Sequence, residues 1–110
     1  MRERRRSPRV TLTKPILATV DSMPVFILDA STGGLRVVHR SQLPKGKSIC
    51  RVNLPSEAGP ISLDCAVVHT TIQHATAAAE ELFSTGLKIV SSDEESARRL
   101  SAIVSAKRKS

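Results

Sequence analysis

Short runs in which apolar and polar residues alternate dominate the first ninety residues of the chain. The clearest alternation lies in residues 61–68, where Ile61, Leu63, Cys65 and Val67 occupy every second position. A period of two is typical of a β-strand with one face on a core. Similar apolar runs predict five further strands, at residues 10–20, 25–28, 35–40, 49–54 and 82–90.

Proline and glycine modify this pattern. Pro15 predicts a kink or bulge in the first strand, because proline cannot donate a ladder hydrogen bond. Gly86 predicts a bulge or a close backbone approach in the last strand. Residues 70–81 are rich in Ala and Thr and leave two interpretations open, strand ends joined by a loop or a short helix.

A polar hexapeptide, Asp29 to Gly34, separates the second and third strands. Its two adjacent glycines are expected to supply the positive φ of a tight reversal, and an Asp or Ser side chain can cap the turn's amides. The segment is therefore predicted to be a hairpin tip. A second interpretation is that its carboxylate, hydroxyl and backbone amides form a site for a polar ligand.

The last part of the chain has a helical pattern. Ser92 and Glu95 fit a capping box, and acidic residues precede basic ones along the segment. Apolar residues follow at helical spacing, at Ala97, Leu100, Ile103 and Val104. This stripe is expected to cover an edge or mouth of the sheet, with a partner helix as the alternative. About six strands and one helix indicate a small antiparallel barrel or sandwich, and closure would remove exposed edges.

The 110 residues suffice for one domain, and the net charge of +7 is concentrated at both ends. Residues 10–97 carry seven basic and nine acidic side chains, whereas residues 2–9 hold five Arg and one Glu. Basic ends can bind polyanions loosely through counterion release. The chain has two Phe and neither Tyr nor Trp. Few aromatic side chains are therefore available to stack on the bases of single-stranded nucleic acid. No specific nucleic-acid partner is expected.

Cys50 and Cys65 lie in apolar strands, without the spacing of a metal site or a disulfide framework. They are expected to be buried thiols, although they could pair if adjacent. No segment approaches the length of a membrane span, and residues 1–9 lack the apolar core of a signal peptide. A soluble, cytoplasmic protein is therefore expected.

No arrangement of residues suggests catalysis. Neither a Ser/His/Asp nor a Cys/His set nor a carboxylate pair stands out, and the acids at 93–95 are explained by the helix. His39, His69 and His74 are expected to be surface or strand residues rather than ligands. The chain is therefore not expected to be an enzyme or to hold a metal.

Two motifs together resemble the PilZ domain, a bacterial receptor module for cyclic di-GMP. Arg5-Arg6-Ser7-Pro8-Arg9 is similar to the family's RxxxR, and Asp29-Ala30-Ser31-Thr32-Gly33-Gly34 to its DxSxxG. Gly86-Leu87-Lys88-Ile89 stands where the family often has Gly-Val/Leu-x-Phe, with Ile89 replacing the aromatic. The likeness covers nearly the whole chain. It implies a six-stranded antiparallel β-barrel, dominated by β-structure, with one C-terminal α-helix.

The resemblance also implies a ligand, cyclic di-GMP, and no cofactor. Arg5 and Arg9 are its principal implied contacts, since a guanidinium can fork onto phosphate or guanine O6 and N7. Asp29 would accept from guanine N1 and N2. The remaining implied residues are Ser31 as a polar contact, Gly34 as the turn-maker, and Arg4, Arg6 and Gly33 in support.

The expected organisation is one domain in four parts: a flexible basic arm at 1–9, a barrel at 10–91, a helix at 92–107 and a basic tail at 108–110. The expected function is a cyclic di-GMP receptor in second-messenger signalling, whose arm orders on binding and which acts on a downstream protein. A protein-interaction adaptor that does not bind nucleotide is the alternative. Nonspecific nucleic-acid binding by the basic ends is a third hypothesis, and the protein is expected to be a monomer or homodimer.

Overall fold

A computed structural model describes residues 10–40, 43, 49–75 and 80–108. These residues form six strands and one helix: β1 (Val10–Val20), β2 (Met23–Ala30), β3 (Gly34–His39), β4 (Cys50–Leu54), β5 (Ile61–Ala75), β6 (Glu80–Ser92) and α1 (Glu94–Arg108). The strands close into a barrel in the order β1-β2-β3-β6-β5-β4, and every pairing is antiparallel. The predicted six-stranded barrel with a C-terminal helix is confirmed.

Alternating side chains fill the barrel. In β4, Cys50, Val52 and Leu54 are buried, whereas Arg51 and Asn53 are exposed, as the sequence pattern predicts. Small barrels of this kind are filled by the inward-facing side chains themselves. The largest fully buried residues are mostly aliphatic and come from all six strands, among them Ile27, Leu35, Ile61, Leu63, Val20 and Val37.

The predicted irregularity in β1 is present. The register against β2 shifts between Thr11 and Ile16, the interval that contains Pro15. The residues after Thr70 continue the sheet, since β5 runs to Ala75 and β6 begins at Glu80. The interpretation of residues 70–81 as strand ends is therefore confirmed for the described residues.

The irregularity expected at Gly86 lies mainly in the partner strand. The β5–β6 register shifts between Val67 and His69, which pair with Leu87 and Gly86. A Cβ on Gly86 would lie 3.3 Å from His69 Cε1. Gly86 thus makes room for the imidazole ring, and the bulge itself belongs to β5.

The β1–β2 connection is a two-residue turn that the sequence pattern did not predict. Asp21 and Ser22 have φ values of 48° and 76°, and Val20 pairs directly with Met23. Positive φ at both central residues is the geometry of a type I′ hairpin. Hydrogen bonds between Asp21 and Arg51, each 2.9 Å long, connect this turn to β4.

The N-cap of α1 is Asp93. The backbone N–H of Ser96 donates to Asp93 Oδ1 over 2.6 Å. This hydrogen bond, with one from the Ser96 side chain, lowers the pKa of the Asp93 carboxyl below its usual value. The predicted capping box of Ser92 and Glu95 is wrong, because β6 continues through Ser92 and the helix begins at Glu94.

The helix packs on the barrel along β5 and β1. Leu100 and Val104 are buried in the common core, but Ala97, predicted on the same stripe, is exposed. Buried Ser96 takes its place, and its Oγ accepts a hydrogen bond from Ser62 N–H over 2.9 Å. The apolar stripe therefore covers the barrel as expected, with one polar connection at its start.

Cys50 and Cys65 are cross-strand partners and, as expected, buried thiols. Cys50 Sγ donates to Cys65 O over 3.5 Å. Burial, with the nearby Cys50 and Asp64, raises the pKa of Cys65 to about 12. In the described part of the chain, no helix is long and apolar enough to span a membrane.

Candidate ligand-binding site

The β2–β3 turn, residues 29–34, is held by one side chain. Ser31 Oγ accepts hydrogen bonds from Gly33 N–H and Gly34 N–H, each over 3.1 Å. The same hydroxyl lies 3.4 Å from Gly34 O and can donate to it, and Ser31 N–H donates to Gly34 O over 2.9 Å. These contacts occupy the hydroxyl's one donor and two acceptor positions. In this conformation Ser31 shapes the turn, and its direct contact with a ligand stays a prediction.

The two glycines serve the turn in a different way from the one expected. Among the described residues, positive φ occurs at Asp21, Ser22 and Gly59, so the expectation for Gly33 and Gly34 is wrong. A Cβ on Gly34 would lie only 2.7 Å from Leu87 O in β6. Glycine is therefore needed at position 34 because a neighbouring strand approaches closely.

Asp29 has hydrogen-bonding capacity to spare. Its Oδ1 is buried and has no hydrogen-bond partner among the described residues. Leaving a buried acceptor unsatisfied costs about 1–3 kcal/mol, and more for a charged group. A donor brought to this oxygen by a ligand or by another part of the chain would therefore be stabilising.

The register of β1 brings the start of that strand to this turn. Val10 pairs with Ala30, and Thr11 pairs with Asp29. Arg9 directly precedes Val10 in the sequence, but Arg4, Arg5, Arg6 and Arg9 lie outside the described residues. The turn is thus adjacent to the point where the described chain begins, and the arginine contacts stay predictions.

A row of register partners crosses the outer face of the barrel at Asp29. It runs from exposed Thr11 through Asp29 to exposed Arg36, then to Gly86 and exposed His69. Lys88 is also exposed, next to the row, and is the partner of Gly34. The outer face therefore carries one cation, Arg36, on the residue opposite Asp29 and a second, Lys88, one strand further away.

The comparison that decides the family is a match to the PilZ domain over residues 3–106. The chain belongs to the PilZ family. Its fold agrees with solved PilZ structures. The PilZ domain of YcgR from Escherichia coli, solved with c-di-GMP, has a TM-score of 0.71 and 16% identity, covering 97% of this chain and 93% of that one.

Two longer proteins share the PilZ fold. The inhibitor of motility MotI/DgrA from Bacillus subtilis has a TM-score of 0.70 and 16% identity, covering 97% of this chain and 52% of that one. PlzA from Borreliella burgdorferi, in complex with c-di-GMP, has a TM-score of 0.64 and 16% identity, with 94% and 52% covered. This chain therefore spans about half the length of these two relatives. No curated protein sequence matches it.

Within this PilZ domain, Arg36 is the register partner of Asp29, and the motifs did not identify it. Its signal in the sequence was its position two residues after Gly34, which in a strand puts both on the same face.

His39 is part of the barrel interior. His39 Nε2 lies 2.7 Å from Thr85 Oγ1, and the ring stacks on Phe83 with centroids 5.7 Å apart. It is a buried strand residue, and no group of three potential metal ligands occurs in the described ranges.

Proposed function

We propose that this PilZ domain is a cyclic di-GMP receptor module in bacterial second-messenger signalling. The ligand would be held between the arginine arm, through Arg5 and Arg9, and the β2–β3 turn. The observation that carries the proposal is the β1 register, in which Thr11 pairs with Asp29 and Val10 with Ala30. Because Val10 follows Arg9 directly, arm and turn can act on one ligand.

The chemistry of the two parts is complementary. Cyclic di-GMP presents two phosphodiester charges and two guanines. The turn offers Asp29 Oδ1, which no other described residue hydrogen-bonds, as an acceptor for guanine N1–H and N2–H, but it offers no positive charge. Arginines supply that charge and can also stack on a purine face. The site therefore needs both parts, and binding would order the arm against the barrel.

The proposed role is recognition without chemical conversion of the ligand. Two PilZ relatives of the same fold, the YcgR domain and PlzA, were solved with c-di-GMP, which supports the proposed ligand class. Arg4 and Arg6 would support the contacts of Arg5 and Arg9. The change at the arm would then be transmitted to a downstream protein, which recognises the ordered state. Ligand recovered chemically unchanged after incubation would agree with this role.

Calorimetric titration of the full chain with cyclic di-GMP tests the proposal. Binding by the parent is expected, with a loss of about tenfold or more in Arg9→Ala and in Asp29→Asn, because each removes a charge-assisted hydrogen bond. Arg98→Ala and Glu57→Gln are matched controls, since they change the same charges at exposed sites on α1 and the β4–β5 connection. A parent protein that does not bind at low salt refutes the proposal. Binding retained in both site variants would place the ligand elsewhere.

A protein-interaction adaptor is the second candidate, favoured by an exposed apolar row. Leu17 and Phe26 are register partners that are 56% and 48% exposed, and Phe26 pairs in turn with Val38. This function predicts no heat on nucleotide titration. It also predicts a partner whose binding is weakened by Phe26→Ser and unchanged in Arg9→Ala.

A further inference from the structure

Arg36 is the central residue of the row that crosses the outer face. It pairs with Asp29 of β2 on one side and with Gly86 of β6 on the other. Directly opposite residues of antiparallel strands have Cβ atoms about 4.5–5.5 Å apart. Arg36 is exposed, the Asp29 carboxylate opposite it lies within reach of its long side chain, and Gly86 brings no acidic side chain to compete for the guanidinium.

This opposite pair does not neutralise itself. The salt bridges found among the described residues are Arg51–Asp64, Arg98–Glu95 and Arg99–Glu95. Arg36 takes part in none of them, and Asp29 Oδ1 has no hydrogen-bond partner there. Two opposite residues thus carry an acceptor and a forked set of five N–H donors, with capacity for a third molecule.

Guanine matches this pair on two neighbouring edges. N1–H and N2–H donate on one edge, O6 and N7 accept on the next, and O6 lies at the corner between them. A carboxylate can take the first edge while a guanidinium forks onto the second. Adenine has an amino donor in place of O6 and an acceptor at N1, so it opposes both groups.

We propose that Arg36 donates to O6 and N7 of the guanine whose N1–H and N2–H are accepted by Asp29, which makes Arg36 a specificity-determining residue. This assignment rests on the proposed cyclic di-GMP function and deepens it. It gives the barrel a fixed cation for base recognition. The arginines of the arm are then left for phosphate contacts and purine stacking.

Lys88 offers a matched comparison on the same face. It is exposed and pairs with Gly34, so it also adds positive charge near the turn. Its strand, β6, is separated from Asp29 of β2 by β3. Its ammonium is a single point charge without a fork. Removing Lys88 should therefore change general attraction to an anion and leave base discrimination unchanged.

The test combines protein variants with a ligand change. Calorimetry gives Kd for cyclic di-GMP and for its analogue with 7-deazaguanine, in which a C–H replaces N7, on the parent, Arg36→Ala, Arg36→Lys and Lys88→Ala. The parent is expected to bind the analogue about tenfold more weakly, because one charge-assisted hydrogen bond is lost. Arg36→Ala should bind cyclic di-GMP about tenfold or more weakly and bind both ligands about equally. Arg36→Lys should not restore the parent's discrimination, whereas Lys88→Ala should keep it.

The outcomes separate the two proposals. One outcome is that the parent binds cyclic di-GMP while Arg36→Ala still discriminates fully against the analogue. That result overturns the role of Arg36 alone, and N7 is then bound by another donor such as Arg9. A parent that does not bind overturns both proposals. Arg36 is exposed, so Arg36→Ala should melt at the parent's temperature, and loss of discrimination in a variant with that Tm supports the proposal.

Discussion

Ser31 Oγ and the backbone N–H of Gly34 are joined by a 3.1 Å hydrogen bond that closes the β2–β3 turn from inside. The same oxygen accepts from Gly33 N–H. A buried hydroxyl thus satisfies two donors that would otherwise be unpaired at the end of a sheet. The geometry of the turn that follows Asp29 depends on this internal contact.

Replacing Ser31 by alanine should destabilise the protein. The change removes the acceptor of two backbone N–H groups, so the free energy of unfolding should fall by about 1–2 kcal/mol. Urea unfolding of the parent and Ser31→Ala measures this difference. Thr32→Ala is the control, because Thr32 is an exposed neighbour in the same turn and should change stability by less than about 0.5 kcal/mol. Equal stabilities of Ser31→Ala and the parent would contradict this account.

Gly34→Ala should be more disruptive than Gly33→Ala. A Cβ at position 34 would meet Leu87 O at 2.7 Å, and that oxygen belongs to the backbone of a paired strand. Forcing β3 and β6 apart should lower the free energy of unfolding by about 1–3 kcal/mol. Gly33 is exposed and lacks positive φ, so alanine there should be tolerated. Urea unfolding of the two variants measures this difference. A Gly33→Ala variant as unstable as Gly34→Ala would contradict the role given to the contact with Leu87 O.

The barrel was predictable because most of its strands carry their own signal. In β4 and the first half of β5, side chains alternate between core and solvent, and the sequence alternates with them. Beyond Cys65 the pattern is interrupted, since a bulge in β5 between Val67 and His69 shifts the register, and both Val67 and Val68 are exposed. Apolar identity alone does not reveal where a bulge shifts the register.

Local signals failed where tertiary structure decided. The turn at Asp21 and Ser22 has no glycine, yet both residues adopt positive φ because Val20 and Met23 must pair. The helix begins after Asp93, one residue later than the capping pattern predicted, because Ser92 is still part of β6. In both cases strand pairing overrides a plausible local choice.

The candidate site was predictable in part. The polar turn of Asp29 and Ser31 is visible in the sequence, but its internal hydrogen bonds are not. Arg36 becomes a partner of Asp29 only through a register that shifts between Ile27 and Asp29. The reason for Gly34 lies in Leu87, far along the chain. Contacts between distant segments depend on register, which a single sequence does not state.

Asp93 should make the stability of α1 depend on acid. Hydrogen bonds from Ser96 lower the pKa of its carboxyl below the usual 3.8. A group with a lowered pKa in the folded state stabilises the protein above its unfolded pKa, and this contribution is lost as the pH falls through the folded value. Asp93→Asn should therefore have a lower Tm than the parent at neutral pH, with the gap narrowing below pH 3.8. Thermal melts of both proteins from neutral pH to below pH 3.8 test this expectation, with Glu94→Gln as the control in the same turn. A difference in Tm that does not change with pH would contradict it.

Cys65 should make the folded protein less stable at alkaline pH. Its thiol should be unreactive while the protein is folded. Burial raises the pKa of the Cys65 thiol from 9.0 to about 12. Between these values the unfolded chain releases this proton and the folded protein keeps it, so the free energy of unfolding should fall by up to about 1.4 kcal/mol per pH unit. The stabilising contribution of the protonated thiol is fully present below pH 9.0. In Cys65→Ala, the free energy of unfolding measured in urea should therefore decline less steeply as the pH rises.

Alkylation gives a second measure of the same burial. In Cys50→Ala, Cys65 is the remaining thiol of the chain, because the sequence has two cysteines. The thiolate is the reactive form of cysteine, so a buried thiol with a raised pKa should react with iodoacetamide far more slowly in the folded protein than in urea. Rapid labelling of folded Cys50→Ala near pH 8, at a Tm close to the parent's, would mean that β4 and β5 separate often enough to expose Cys65.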